Sequence, residues 1–555
     1  MISSTQDGLS KRNTANIMMS IRYILLSLGI IALSCCRELA AQNTNDSTRQ
    51  KNAKVTLVYL ENCETLSFDE ANLPETQVLK GNVRFRHDSA LLYCDSAYFY
   101  EKRNSLDAFG NVKIVQADTL VGYGDKLYYD GNRKMARFRK NVRLEDGKMT
   151  LYTDSLNYDR LNNIAYYYKG GKLCDSINTL TSVWGQYLPE WNRATFKNNV
   201  VLENPDFRLE SDTLNYNTST NVADIVGPTK MKYKEETDIF STNGWYNTQN
   251  DQSMLLDRSV IVHKDGKSIT GDTIYYDKRK QFGTIYHNMQ LTDSVQKTTL
   301  CGHYGYYDEA AEAGMATDSA FLIDWSSPDS LFLHADSMFT KTDTAKGNII
   351  RAYYKVRMYK SDVQAVCDSL TYIEKDSIMS LYNEPVMWNE NQQISATLIN
   401  VYLNDSTVDY AHLINQAFVA RQVDSICFDQ MSGKEMFAFM RDGEIYKVDV
   451  SGNAETVFYP KEDDGNIIGI NKTQSSYVTI FIENRKISKV LLTAVSNGTM
   501  FPLGQLPKED TYLGGFFWAE QERPKSPLDI FSNPPKTPRP DAAATAASAS
   551  ASINK

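Results

Sequence analysis

The sequence predicts an all-β fold: an elongated antiparallel β-jelly roll or solenoid stack of repeats of about 30 residues, followed by a C-terminal β segment and a disordered tail. Three observations lead to this fold class. A tyrosine returns at nearly constant spacing, apolar and polar residues alternate around it with a period of two, and residues that favour turns separate these runs. The 3.6-residue period of an amphipathic helix is absent from the repeats.

The repeat is defined by seven tyrosines at intervals of 29 to 31 residues: Tyr129, Tyr158, Tyr187, Tyr216, Tyr246, Tyr276 and Tyr307. Two positions before each stands an apolar residue or a glycine: Leu127, Leu156, Gly185, Leu214, Gly244, Ile274 and Gly305. Seven positions after each stands a small residue: Ala136, Ala165, Ala194, Ala223, Ser253, Gly283 and Gly314. Twelve positions after come residues that mostly favour turns: Asn141, Gly170, Asn199, Pro228, Arg258, Asn288 and Ser319. Looser copies extend the pattern over most of residues 75–430.

Alternation within a repeat indicates strands. In the segment 154–159, Leu156 and Tyr158 alternate with the polar Ser155 and Asn157, which is typical of a strand with one buried face. One unit has too small a face to fold alone, so neighbouring units must stack around a shared apolar interior. The small residue after each turn is expected to let two strands approach closely where the chain folds back.

The inward columns of leucine and tyrosine have two interpretations. As a packed core they fill the interior, which is the simpler interpretation at any single position. As the lining of a trough, they belong to two walls that do not close completely and leave a lengthwise apolar space for acyl chains. Gly185, Gly244 and Gly305 replace larger side chains in this column, and the missing volume favours a cavity there.

The beginning of the chain reads as a secretory signal peptide. An apolar run of about eleven residues follows Arg22, and Leu39-Ala40-Ala41 comes after it. We therefore expect export and cleavage after Ala41, with lipoprotein processing at Cys35 as the alternative. The predicted organisation is a signal peptide over 1–41, a flexible lead over 42–54, the β-repeat domain over 55–430, a compact β-rich segment over 431–531 and a disordered low-complexity tail over 532–555.

Composition and motifs favour neither nucleic-acid binding nor catalysis. The 59 basic and 68 acidic residues give a net charge of −9, whereas proteins that wrap nucleic acid usually carry a basic domain. The six histidines form no zinc-protease motif, and neither a nucleophile elbow nor a phosphate-binding loop occurs in the sequence. We expect no catalytic residue, no metal and no cofactor.

Cysteines and recurrent aspartates are both given structural roles. The cysteines after the signal, which contain no C-x-x-C pair, are expected to be structural thiols, and their disulfide state stays open: Cys63, Cys94, Cys174, Cys301, Cys367 and Cys427.

Asp125, Asp154, Asp212 and Asp272 lack the nonapeptide spacing of a calcium-binding β-roll. Roles in turns and at strand edges explain them more simply.

Several phrases resemble the OstA-like family of periplasmic lipopolysaccharide-transport proteins, the LptA-type bridge of the Gram-negative envelope. They are GNVRF at 81–85, DS at 95–96, GNV at 110–112 and DKLYYD at 125–130. The C-terminal part is similar to the long OstA-like proteins of the Bacteroidetes type in GINK at 469–472, NGTMFP at 497–502, GFFW at 515–518 and RPKS at 523–526. The resemblance extends over roughly residues 55–531.

This resemblance implies a boat-like β-jelly roll that carries lipopolysaccharide through the periplasm without catalysis. The implied partners are the lipid A acyl chains of lipopolysaccharide and other jelly-roll transport components, which join through end-to-end strand pairing, whereas nucleic acid is not expected. The implied groove lining is Phe85, Phe99, Leu127, Tyr129, Leu156, Tyr158, Leu214, Tyr216, Ile274 and Tyr276. The hypothesis from a different class is a structural or protein-binding envelope solenoid with a dry packed core and no lipid ligand.

Overall fold

The computed structural model describes residues 56–540 apart from six short gaps at 117–119, 148, 405–406, 442–443, 463–464 and 484–485. The strands of these residues form one antiparallel sheet of 34 strands, so the predicted all-β class is confirmed. In the same residues, no helix has the length and apolar character needed to cross a membrane. The predicted signal peptide and flexible lead lie outside the described residues, as do residues 541–555 of the predicted tail.

The first half of the sheet is a series of hairpins. Its strands are β1 (Tyr59–Asn62), β2 (Thr65–Phe68), β3 (Gln77–His87), β4 (Ala90–Tyr100), β5 (Ser105–Gln116), β6 (Leu120–Asp130), β7 (Met135–Glu145), β8 (Thr150–Asp159), β9 (Ile164–Tyr167), β10 (Gly171–Cys174), β11 (Thr179–Ser182), β12 (Trp184–Leu188), β13 (Arg193–Glu203), β14 (Phe207–Asn217), β15 (Val222–Tyr233), β16 (Thr237–Asn247) and β17 (Gln252–His263).

The second half continues the same ladder. Its strands are β18 (Lys267–Asp277), β19 (Phe282–Asp293), β20 (Thr298–Asp308), β21 (Ala313–Asp324), β22 (Leu331–Asp343), β23 (Gly347–Tyr359), β24 (Gln364–Ile373), β25 (Ile378–Tyr382), β26 (Val386–Asn389), β27 (Gln392–Ser395), β28 (Leu398–Asn404), β29 (Thr407–Gln422), β30 (Phe428–Arg441), β31 (Glu444–Phe458), β32 (Ile470–Glu483), β33 (Lys486–Thr493) and β34 (Asn497–Phe501). Short 3-10 turns lie at Glu101–Arg103, Pro189–Trp191, Lys508–Thr511, Glu520–Glu522 and Pro527–Phe531.

Many of the long strands bend once, at a bulge near their middle. In β7 the bend falls at Lys140 and Asn141, which have φ values of 64° and 48°, and the register with β8 shifts there. Asn199 and Asn288 occupy the same left-handed position in β13 and β19. These residues favour turns by composition, and the structure places them at bulges within strands instead. Asparagine tolerates left-handed backbone in a bulge as well as in a turn, so composition alone does not separate the two.

The recurrent aspartates brace these bulges from the neighbouring strand. Asn111 Nδ2 donates to Asp95 Oδ2 at 2.9 Å, and Asn141 Nδ2 donates to Asp125 Oδ2 at 2.8 Å. A Cβ atom on Gly110, which has a φ of 76°, would collide with the same Asp95 carboxylate. The GNV segment at 110–112 therefore forms the bulge, and the DS segment at 95–96 supplies the carboxylate that contacts it.

The bulges divide the sheet into two walls that pack face to face. We call the half-strands that carry the tyrosine column the tyrosine wall, for example residues 126–130 of β6, and the other halves the opposite wall, for example residues 120–124. Phe85 of the opposite wall lies 5.3 Å, between ring centroids, from Phe99 of the tyrosine wall. Apart from Trp388, the largest fully buried side chains lie between the walls: Phe85, Phe138, Leu79, Leu106, Leu127, Leu156, Leu209, Leu214, Ile285, Met289 and Met338.

The small residue of each repeat makes room for tyrosine rings. Ala223 of β15 pairs directly with Tyr216 of β14 and with Tyr246 of β16. Every such residue from Ala136 to Gly283 stands between two tyrosines in this way. Smallness is therefore required by the two rings that flank the position, rather than by the fold-back of the chain alone.

The sheet passes residue 430 without interruption. Strand β30 contains this residue and pairs with β29 and β31, so the residues up to β34 extend the same sheet instead of forming a separate compact segment. After β34 the chain turns back. Residues 511–532, which we call the C-terminal strap, cross the outer face of the opposite wall from Gln430 of β30 to Phe321 of β21.

The strap adds a third layer over the second half of the molecule. Val366 and Trp388 of the opposite wall face the strap, whereas Ala365 and Cys367 face the interior between the walls. Residues 532–540, which the sequence assigns to the tail, contain neither helix nor strand. Within them, Arg539 makes two 3.0 Å bonds to the buried carboxylate of Glu522.

Candidate functional site

The candidate site is the apolar seam between the two walls. The ten residues predicted to line a groove all have the inward parity of their strands. Eight of them are buried, with exposed fractions from 0% to 6%: Phe85, Phe99, Leu127, Tyr129, Leu156, Tyr158, Leu214 and Ile274. Tyr216 and Tyr276 are half-buried, and their hydroxyls contact groups at the edge of the seam.

The seam is filled by the protein's own side chains. A Cβ atom on Gly185 would collide with the ring of Tyr167, one on Gly244 with the carbonyl oxygen of Met254, and one on Gly305 with Met289. At Gly244 and Gly305 the prediction of a cavity is therefore wrong, because neighbouring groups occupy the volume, whereas a small cavity does lie beside Gly185. A cavity beside Gly185 and Tyr167 measures about 40 Å³.

The free edges of the two walls meet along what we call the mouth of the seam. The tyrosine column lies on the inner side of this mouth, with its hydroxyls bonded to polar residues of the hairpin turns. Tyr158 donates to Asn163 Oδ1 at 2.9 Å, and Tyr246 donates to Asp251 Oδ1 at 2.8 Å. Burial raises the pKa of Tyr158 to about 12, so this hydroxyl stays neutral at physiological pH.

A polar cluster joins the walls at the N-terminal end of the mouth. We call His87, Tyr129, Arg160 and Gln116 the mouth latch. His87 Nδ1 of the opposite wall lies 2.6 Å from the Tyr129 hydroxyl of the tyrosine wall. Arg160 donates to Tyr129 Oη at 2.5 Å and to Gln116 Oε1 at 2.8 Å. The sequence did not predict this cluster, for which the only local signal was a histidine at an inward position of β3.

Two further contacts extend the closure around the latch. Lys134 Nζ of the tyrosine wall lies 2.7 Å from Asp88 Oδ2 of the opposite wall. Thr56, from the segment before β1, lies with its Oγ1 2.7 Å from His87 Nε2, and Asn104 donates to the Thr56 carbonyl at 2.9 Å. The mouth is therefore held shut here by hydrogen bonds and an ion pair, not by covalent links.

Acid is expected to destabilise the latch. Burial is the main cause that lowers the pKa of His87, with contributions from Arg160 and Lys134, while Asp88 and the Thr56 backbone act in the opposite direction. The unfolded chain, with a histidine pKa of about 6.5, then binds a proton more readily than the folded chain. The contribution of His87 to the free energy of unfolding is fully present above pH 6.5, and it is lost as the pH falls toward 5.

Thermal midpoints measured between pH 8 and pH 5 test this expectation. The His87→Gln variant should show a smaller fall with pH than the unmodified chain. Replacement of the exposed His303 by glutamine is the matched control and should leave the fall unchanged. Equal pH dependence in the His87→Gln variant and the unmodified chain would contradict the role assigned to His87.

The described residues offer little reactive chemistry. No group of three or more His, Cys, Asp or Glu side chains is placed to hold a metal ion in this part of the chain. The six cysteines after residue 55 are free thiols. Burial raises the pKa of the Cys94 thiol to about 12, and thiols that stay protonated are poor nucleophiles. The seam itself is lined by aliphatic and aromatic side chains.

Comparison with known proteins gives a family match and similar solved structures. Residues 55–212 match the model of a family described as OstA-like protein. Among solved structures, this chain is similar to LptH from Pseudomonas aeruginosa, the periplasmic LptA-homologous component of its lipopolysaccharide transport device. The match covers 18% of this chain and 76% of LptH, with 15% sequence identity and a TM-score of 0.17. No curated protein matches the chain.

Proposed function

Because the chain is OstA-like over residues 55–212, we propose that it carries lipopolysaccharide through the periplasm as part of a non-enzymatic transport bridge. In this proposal the lipid A acyl chains lie between the two walls, against the ten lining residues named above. The observation that carries the proposal is the continuous apolar seam, which runs through two adjoining core clusters along the sheet. A lengthwise apolar seam would shield acyl chains from water over the whole path.

Lipid entry requires the two walls to separate, because the space now present is far too small for an acyl chain. The interactions across the mouth suit such a motion. The ion pair of Lys134 and Asp88 is partly exposed, and pairs of this kind contribute only about 0–1 kcal/mol. Acyl chains between the walls would replace the apolar packing that the walls now give each other, so opening without lipid costs far more than opening with it.

The two ends of the sheet provide the surfaces for assembly with other jelly-roll components. Among the described residues, β33 and β34 pair only with β32, and β1 and β2 pair only with β3. The outer edge of each end strand therefore offers unpaired backbone donors and acceptors. Val490 and Leu491 on β33, exposed by 49% and 47%, supply apolar contacts on both of its faces.

A periplasmic location follows in this proposal from the sequence of residues 1–41, which has the order of charged, apolar and small residues found in secretory signals. Mass spectrometry of the N-terminus of the exported chain tests it. We expect a mature chain that starts after Ala41. A lipid-modified Cys35 would instead establish membrane anchoring.

Photocrosslinking to radiolabelled lipopolysaccharide tests the seam itself. The full-length chain with p-benzoylphenylalanine at the buried Tyr158 is expected to form a lipid adduct. Tyr128 is the matched control, since it lies on the outer face of the same wall with 39% exposure and should form no adduct. Adducts at both positions would indicate surface adsorption. Absence of an adduct at Tyr158 and at Tyr216 would overturn the carriage proposal.

A second candidate function is a structural or protein-binding solenoid with a dry core. The filled seam is the observation that favours it. The same experiment separates the two candidates, because a permanently packed core gives no lipid adduct at any inward position, whereas a carrier gives adducts in successive repeats.

A further inference from the structure

The C-terminal strap lies in a groove on the outer face of the opposite wall, and side chains of this wall form the groove. Two glutamines of the wall form its polar contacts. Gln393 and Gln430 are exposed by only 1% and 3%, and both side-chain amides point at the strap. A buried amide without a hydrogen bond destabilises the fold, so each of these glutamines requires a polar group, such as backbone N–H or C=O, to bond with.

Each of the two glutamines holds the strap backbone through a donor and an acceptor. Gln430 Nε2 donates to the carbonyl oxygen of Thr511 at 3.0 Å, and its Oε1 accepts from the N–H of Leu513 at 2.8 Å. Gln393 repeats this arrangement with the carbonyl of Phe517 at 2.8 Å and the N–H of Ala519 at 2.7 Å. Paired contacts of this kind recognise an extended backbone and do not depend on the side chains that it carries.

Side-chain anchors lie between and beyond these backbone contacts. Trp388 has no exposed surface and clusters with Ala519, and Phe428 lies 5.0 Å, between ring centroids, from Trp518. Arg523 Nε donates to Gln364 Oε1 at 2.7 Å. Ala519 is fully buried in the same cluster as the indole, so a larger side chain at this position would overpack the cluster.

The final anchor lies where the strap ends. Arg357 donates to the carbonyl of Asp529 at 3.2 Å and to the Ser532 hydroxyl at 3.1 Å. Phe531 lies edge-on to Phe321, with 5.2 Å between ring centroids. The groove therefore spans the outer face from β30 to β21.

The strap is attached to the sheet as a ligand would be. It contributes no strand to the ladder, and residues 502–510, which connect it to β34, are almost all exposed and include two prolines. We propose that this face is a peptide-recognition site for an extended segment of a partner polypeptide, with the strap as its resident ligand. The recognised pattern is an apolar residue, a small residue six positions later and an arginine four positions after that, as in Leu513, Ala519 and Arg523.

The tether determines when a partner can bind. Residues 502–510 form a short tether, and short tethers give effective concentrations of the order of mM, here of the strap at the groove. An outside segment of micromolar affinity therefore competes poorly with the intact chain, and the site becomes available once the strap is released. The strap thus competes with an outside segment for the same groove.

The test uses the full-length chain with a specific protease site inserted after Gly504. The probe is a fluorescent synthetic peptide of residues 509–540. After cleavage we expect saturable exchange of the probe into the groove, with at least tenfold weaker binding to the uncut chain. The double variant Gln393→Ala and Gln430→Ala should weaken binding to the cut chain at least tenfold. Gln290→Ala, on the same outer face but away from the strap, is the matched control and should bind normally.

Failure to exchange would overturn the proposal, whether the cut chain keeps its strap or releases it without binding the probe. Equal binding by the glutamine variant and the unmodified chain would overturn it as well. If the glutamine variant does not fold, the substitution is made in the synthetic peptide instead. A peptide with Ala519→Trp is expected to bind the unmodified cut chain at least tenfold more weakly. The readout involves no lipid, so its outcome is independent of the transport proposal.

Discussion

Replacement of Phe138 by alanine is expected to lower the free energy of unfolding by about 3–5 kcal/mol, the usual cost of a fully buried phenylalanine. Phe138 has no exposed surface, and its ring projects from the tyrosine wall toward Gly122 and Gly124 of the opposite wall. A Cβ atom on either glycine would lie only 3.1–3.2 Å from this ring, so the two glycines and the ring fill one another's space. Truncation would leave a hole between the walls.

Denaturant unfolding measures this loss, and Phe109→Ala is its matched control. Phe109 projects to the outer side of the tyrosine wall, where Lys126 lies 5.9 Å from its ring centre, and its removal should cost far less. A loss at Phe138 no larger than at Phe109 would contradict the closed packing of the walls. If the transport proposal holds, the hole at Phe138 should also increase the yield of lipid adducts at Tyr158.

Replacement of Ala223 by phenylalanine is expected to destabilise the chain by about 3 kcal/mol, at the upper end of the range for overpacked cores. Ala223 is fully buried and stands between the rings of Tyr216 and Tyr246 on the two neighbouring strands. A third ring has no space there unless both strands move apart. Since the same arrangement recurs along the column, such a displacement would propagate to the adjoining repeats.

The adjacent residue supplies the control. Asp224 lies on the outer face of the same strand, so Asp224→Phe adds the same ring where it meets solvent. The thermal midpoint should fall sharply for the Ala223 variant and change little for the Asp224 variant. Equal midpoints for the two would show that the inward and outward faces of β15 have been assigned incorrectly.

Much of the fold was accessible from the sequence because a strand repeats every two residues. That period alone placed Leu127 and Tyr129 on the same buried face, and the spacing of about 30 residues implied hairpins that stack. The bends were not accessible in the same way. Asn141 carries the preference for left-handed backbone that both turns and bulges use, and only its pairing partner, Asp125 on the next strand, distinguishes them.

The seam and the strap depended on contacts that a sequence pattern does not contain. Gly185 appeared to remove volume, yet the ring that fills its space comes from Tyr167 on the adjacent strand. In the structure, the four successive residues from Gln364 to Cys367 are all buried, because the strap covers the outer face of this strand. A strand buried on both faces needs a layer on each side, which alternation within a single strand does not reveal.

The mid-strand bends also determine how this molecule can change in length. Each hairpin carries its own bend and its own inward residues, so loss or duplication of a whole unit of 29 to 31 residues leaves the faces of every other strand as they were. Two strands then enter or leave the ladder, and the reach of the protein changes by about 10 Å. Growth in whole hairpins would therefore change the length of the sheet in steps of about 10 Å.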